Sequence, residues 1–205
     1  MLVFWQKGFD DTSIQDLVSA TGLNRGSLYN AFGDKAQLFA QVMERYRSQS
    51  PARQLAEALE AESPRRLIVE FLETLVARAK TDPDHKGCLI TNTAAGLYGC
   101  DETMMIWIRE TMGRLEDALC QAVERGQNLG EITPATSARS LARFLVATAQ
   151  GINVMARANP NEQILRDVMT HAISALGDPA DFSASRRSEP ALDVAPFTNN
   201  PRKLY

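Results

Sequence analysis

At 205 residues, 44% hydrophobic and 23% charged, the chain is long enough to bury a core unaided in one or two domains. No apolar run approaches the roughly 18–20 residues that span a bilayer, and the opening MLVFWQKG is too short and too quickly polar for a secretory signal. A net charge of −3 argues against a general nucleic-acid coat, though not against a specific reader, which needs only a local basic face.

A cytoplasmic location is the default expectation. Cys88, Cys100 and Cys120 lack the close paired spacing of a zinc site and read as free thiols, so neither metal nor cofactor is expected.

Met1 to Gly8 reads as the last part of a first helix, with Phe4 and Trp5 available to pack beneath the next three helices. From Thr12 to Phe39 three short helices are separated by two abrupt turns. Ile14, Leu17 and Val18 repeat at helical spacing, and Thr12 with Gln15 forms a capping-box start. Gly22 is placed to end this helix in the left-handed region, which a residue without Cβ adopts at little cost. Asn24 is expected to cap the second helix, where Leu28 and Phe32 point inward and Arg25, Ser27, Tyr29 and Asn30 outward. Asp34 caps a third helix that buries Leu38, Phe39, Val42, Met43 and Tyr46. Helix, short glycine-containing turn, helix is the arrangement that places its second helix in the DNA major groove.

Past Tyr46 the polar run RSQSPARQ and Pro51 predict a bend or a restart, with a helix over Gln54–Glu62. Ser63-Pro64 is a cap followed by a first-turn proline. It opens a stripe of Leu67, Phe71, Leu72, Leu75 and Val76 that ends before TDPDHKG. Cys88 to Tyr98 is predicted as a buried short helix stopped by Gly99. Asp101 caps a longer one carrying Met104, Ile108, Met112, Leu115, Leu119 and Val123. GQNLGEI closes it, Thr133-Pro134 starts the next, and Asn159-Pro160 the last. No stretch alternates like a strand, so the fold class is all-α. The expected division is a helix-turn-helix domain over 1–47, a helical effector-binding and dimerisation domain over 48–177, and a proline-containing flexible tail over 178–205.

KGFDDTSIQDLVSATGLNRGSLYNAFGDKAQLF, running from Lys7 to Phe39, resembles the DNA-binding signature of TetR-type transcriptional regulators. The resemblance implies a homodimer, a double-stranded operator with palindromic half-sites, and a small-molecule effector bound among the C-terminal helices. Relatives carry further, often basic residues before this point, which implies a clipped first helix here.

The candidate DNA-binding residues are Thr12, Ser13, Asn24, Arg25, Gly26, Ser27, Tyr29, Asn30 and Lys35. Arg25 can read guanine bidentately and Asn30 adenine. Ser27 and Tyr29 can instead take phosphates, as can Thr12 and Ser13 at a helix N-terminus. By resemblance, the lysine of GDK, Lys35, contacts the DNA backbone. The first fifty residues balance Lys7, Arg25, Lys35, Arg45 and Arg47 against Asp10, Asp11, Asp16, Asp34 and Glu44, so tight binding is expected to need two heads.

By analogy with the family plan, the last two long helices supply the dimer surface through Leu141, Leu145 and Ile152 and through Ile164, Val168 and Ala172. An effector pocket is sought among Cys88, Asn92, Tyr98, Met104, Trp107, Met112, Phe144, Gln150 and Met155, where aromatic and methionine walls surround a few polar groups. HKGCLITN also resembles a helix start in a branch of the family that includes sensors of electrophiles and oxidants, although Gly96 stands where relatives often carry an acid. A first-turn thiol near Lys86 and His85 can gain thiolate character, which makes thiol sensing at Cys88 the alternative to a reversible ligand. A helical enzyme or carrier is a weaker alternative. His85 and His171 lie far apart, and no metal-binding, nucleophile-elbow or phosphate-loop motif is present.

Overall fold

Among the described residues, seven helices begin where a side chain accepts from one of their first free N–H groups. The structure, a computed structural model, describes residues 1–60, 62–96 and 102–178, and within them ten helices and no strand. These are α1 (Leu2–Lys7), α2 (Ile14–Thr21), α3 (Arg25–Phe32), α4 (Lys35–Ser48) and α5 (Pro51–Glu57), followed by α6 (Pro64–Thr81), α7 (Leu89–Ala95), α8 (Glu102–Leu129), α9 (Ala138–Ala158) and α10 (Glu162–Ser174). The expected all-α class holds among these residues.

Asn24, Asp34 and Ser63 cap α3, α4 and α6 as their positions predict. Other boundaries differ. The capping box of α2 is formed by Ser13 and Asp16 rather than by Thr12 and Gln15. Thr12 is buried and donates its hydroxyl to the Gly8 carbonyl at 2.6 Å. Helix α5 restarts the chain at Pro51, behind a Ser50 cap, and runs to Glu57 rather than over Gln54–Glu62. Helix α7 has Cys88 at its N-cap and Gly96 at its C-cap. Gly99, Tyr98, Cys100 and Asp101 lie outside the described residues, as does the expected tail from residue 179.

Helix α9 starts at Ala138, capped by Ser137, and not at Thr133. The preceding turn is committed elsewhere: Gln127 Nε2 donates to the Thr133 and Thr136 carbonyls at 2.8 Å each, and Thr133 N–H donates to the Leu176 carbonyl.

Helices α5, α6, α8, α9 and α10 share one hydrophobic core, in which Ile68, Leu72, Leu119, Val123, Leu145, Ile152 and Leu176 are fully enclosed. This overturns most of the expected dimer surface. Leu141, Leu145, Ile152 and Ala172 are buried within their own chain, and on α10 the buried series is Leu165, Met169 and Ala172. Ile164 and Val168, one position earlier on the helical wheel, are half-exposed.

A second core holds Phe4, Leu17, Leu28, Phe39, Met43 and Tyr46 together with Leu89 and Ile90 of α7 and Ile108 of α8. The N-terminal helices therefore pack directly on the body of the molecule.

Candidate nucleic-acid interface and effector cavity

Helices α2 and α3 are joined at Gly22, whose φ of 70° is the left-handed conformation expected at this turn. Leu28 is the buried residue of α3 and anchors it. Asn24, Arg25, Gly26, Ser27, Tyr29 and Asn30 are all exposed on one short helix. Asn24 Oδ1 accepts from Ser27 N–H at 2.8 Å, which fixes the first turn. A Cβ at Gly26 would stand 3.4 Å from that same oxygen, an ordinary contact distance.

Arg25, Tyr29 and Asn30 have no side-chain partner among the described residues. The exposed face of α3 thus holds the donors and acceptors a groove-reading helix needs.

The flanking residues divide. Ser13 is exposed, but its hydroxyl both donates to Asp16 and accepts from the Asp16 N–H. Lys7 donates to the same carboxylate at 2.6 Å, and this ammonium, with the Ser13 backbone and hydroxyl, holds Asp16 well below the ordinary carboxylate range. Thr12, turned inward, has no side chain to offer a phosphate. Lys35 lies over the Phe9 ring at 4.4 Å and donates to the Asp10 carbonyl at 3.3 Å, which places its ammonium against the connection between α1 and α2.

A cavity of about 700 Å³ opens where this head meets the body. Trp5 of α1 and Tyr46 of α4 form one wall, their rings edge-on at 4.9 Å. Phe71, Leu75 and Arg78 of α6, Ile90 of α7, Met112 and Leu115 of α8, and Gln150 and Asn153 of α9 form the rest. Thr91 donates to Gln150 Oε1 at the rim of α7 and α9.

Of the residues sought for a pocket, Cys88, Met112 and Gln150 are brought together here. Met104 and Trp107 instead line a separate groove of about 320 Å³ against Phe9, Phe39 and Met43. Asn92 braces the preceding loop by donating to the Lys86 carbonyl at 2.7 Å. Phe144 faces outward at 45% exposure, Met155 packs on the body core, and Tyr98 lies outside the described residues. Trp5, Tyr46, Arg78 and Asn153 were not anticipated. Arg78 follows Phe71 by seven residues and Leu75 by three, so it shares their face, and a cation in register with an apolar stripe was the available signal.

Cys88 is half-buried beside the Tyr46 hydroxyl. Burial first, then the neighbouring thiol, pushes the Tyr46 phenol far up. The cation expected to activate the thiol is engaged elsewhere. Lys86 donates to Asp82 and to Asp84, and its ammonium lies 5.9 Å from the Trp5 ring centroid. Burial raises Asp82, but hydrogen bonds from the Lys86 ammonium and backbone outweigh it and leave the carboxyl below its ordinary value. Asp82 and Asp84 in turn hold Lys86 above its own. Among the described residues no group of three or more His, Cys, Asp or Glu side chains could hold a metal ion, and no helix is long and apolar enough to cross a membrane.

A helix-turn-helix head with an open reading face, set on an all-α body with a cavity at the junction, defines a DNA-binding regulator of transcription. The comparisons name the family. Residues 64–172 match the model described as tetracyclin repressor-like, C-terminal domain, and residues 1–42 that of bacterial regulatory proteins, tetR family; the chain belongs to the TetR family. It is 29% identical over 169 residues to the HTH-type transcriptional repressor ComR of Escherichia coli, covering 82% of this chain and 80% of ComR.

Among solved structures it is similar to a cysteine-substituted TetR-family regulator CifR complexed with a 26-bp double-stranded operator. The TM-score is 0.73 at 29% identity, over 84% of this chain and 91% of that one. A TetR regulator from Chloroflexus aurantiacus also gives a TM-score of 0.73 at 26% identity, over 84% and 87%. The family regulates transcription and is not enzymatic.

Proposed function

We propose that the protein is a homodimeric repressor that leaves its operator when a small molecule fills the cavity at the head–body junction. The supporting observation is that one cavity is walled both by α1 and α4, which carry the head, and by α6 to α9, which form the body. A ligand there touches both parts at once. It releases DNA if it binds the arrangement with displaced heads more tightly than the DNA-competent one. Such a protein works in the cytoplasm, where the operator is.

In this reading Arg25, Ser27, Tyr29 and Asn30 face the groove, while Ser13, Asn24, Gly26 and Lys35 position α3 on the backbone. Thr12 is left out because it is buried. Residues 1–47 serve as head, and residues from 48 onward as sensing and pairing body. Pairing uses the outward faces of α9 and α10 in place of the buried stripes. Phe144 and Val154 are exposed, with Ala147 and Gly151 between them, and Ile164 and Val168 continue the face on α10. Two heads on one dimer can then read half-sites roughly 34–36 Å apart.

The test is capture of sheared genomic fragments on the purified chain. A palindromic site retained by the wild-type protein and lost with Arg25→Ala and Tyr29→Ala supports this function. Retention unaffected by both substitutions refutes the assignment of α3 as the reader. In the alternative reading, thiol sensing at Cys88, the thiol stands at the start of α7 and has no help from the Lys86 ammonium, which is paired with two carboxylates.

A further inference from the structure

The cavity has a charge imbalance that its own residues leave unresolved. Five cations stand on its wall: Arg47, Arg53, Arg78, Lys86 and Arg114. Four are answered by carboxylates, namely Glu44 for Arg47, Glu57 for Arg53, Asp82 and Asp84 for Lys86, and Glu110 at 3.8 Å for Arg114. Arg78 has neither an ion-pair partner nor a side-chain hydrogen bond among the described residues.

Arg78 sits on the cavity face of α6, beside Phe71 and Leu75, and its charge is felt at the buried Tyr46 hydroxyl. Trp5 lines the same wall with its ring, its indole N–H being buried behind it. The two carboxylates that reach the cavity, Glu57 and Asp82, are both already paired. An apolar space with one unpaired guanidinium, exposed at its wall, and no free acid has a definite preference. It favours a ligand bearing negative charge and disfavours a cation, because a guanidinium–carboxylate contact is among the stronger hydrogen-bonded pairs.

We propose that the effector is a small organic carboxylate with an apolar body, its carboxylate taken by Arg78 and its body laid against Phe71, Leu75 and Leu115. This rests on the reading of the cavity as an effector site. It extends that reading by giving the ligand a charge and the pocket an anchor.

The experiment uses the full chain and a set of matched pairs: 4-phenylbutanoate, naphthalene-2-propanoate and dodecanoate, each beside its neutral carboxamide. Binding is read by thermal melting without DNA, and release by anisotropy of a labelled operator fragment. Carboxylates are expected to raise the melting temperature and release the fragment, with their amides much weaker. Arg78→Met should weaken carboxylate binding about tenfold to a hundredfold, the range for a lost charge-assisted hydrogen bond. It should leave the ligand-free melt and operator binding as they were, and Arg78→Lys should recover part of the loss.

Amides that bind as tightly as acids, acids that bind Arg78→Met unchanged, or a set in which no acid binds would each overturn the proposal. Failure of the regulator reading shows separately, as a ligand-free chain that retains no operator. Because ligand binding is read without DNA, the two failures are distinguishable.

Discussion

Asn24→Ala is the perturbation that separates positioning of the reading helix from contact with DNA. The substitution removes the acceptor that Asn24 Oδ1 presents to Ser27 N–H at 2.8 Å. Loss of such a cap costs about 1 kcal/mol, within a range of roughly 0.5–2. Helix α3 has eight residues and buries only Leu28, so it has little else to hold its first turn. Where that turn frays, binding must refold it, at a cost of up to about 1 kcal/mol for each head and about 2 kcal/mol for a dimer on two half-sites.

Operator affinity, read by anisotropy at fixed salt, is therefore expected to fall between about fivefold and thirtyfold. The melting temperature should drop by only about 2–4 °C, the shift that about 1 kcal/mol produces in a chain of 205 residues. Asn24→Ser keeps a capping oxygen and should restore most of the affinity. A serine variant as weak as the alanine variant, or a loss beyond about a hundredfold, would refute the reasoning. The amide itself would then be contacting DNA.

Phe144→Glu with Val154→Glu should convert the protein to monomer by light scattering while leaving its helical content intact, since both side chains face outward. A dimer surviving both charges would place the pairing surface elsewhere. Gly87→Ala should lower the melting temperature by several degrees. Its φ is 65°, and an added Cβ would stand 2.8 Å from the Asn153 carbonyl oxygen, a backbone atom that cannot yield cheaply.

The Asp82–Lys86 pair should make stability fall at both pH extremes. Asp82 is held below its ordinary 3.8, so its contribution is present above that value and lost as pH falls through the folded pKa. Lys86 is held above its ordinary 10.5, so its contribution is present below that value and lost as pH rises through the folded pKa. Lys86→Met should flatten both limbs of a melt-versus-pH curve relative to wild type, and unchanged limbs would assign them to other groups. Cys88→Ser should leave release by a carboxylate intact, whereas loss of release would restore the thiol as the sensor.

The head was legible because its signals are local. Gly22, Asn24 and Asp34 each do in the structure what their position in a short repeat predicts. Boundaries failed where a distant group competed. Lys7 and Ser13 converge on Asp16, which moves the cap by one residue from Thr12, and Gln127 holds the turn that Thr133 would otherwise have opened as a helix. Faces failed for a related reason. The stripe containing Leu141, Leu145 and Ile152 is apolar whether it meets a partner or its own chain, and only the placement of α6 and α8 decides. The cavity was the least legible part, because it joins residues as far apart in sequence as Trp5 and Asn153.

The core around Phe4 and Phe39 also contains Leu89, Ile90 and Ile108 from the body. The division between head and body is thus a division of the sequence and not of the packing. A head transplanted from another regulator would bring its own underside to a seat shaped by α7 and α8. Residues 1–47 alone would lose the cover that Leu89, Ile90 and Ile108 give this core. Exchange of DNA specificity in this protein should then proceed by replacing the outward side chains of α3, with the seat kept as it is. Whole-head chimeras would need Leu89, Ile90 and Ile108 to change in concert.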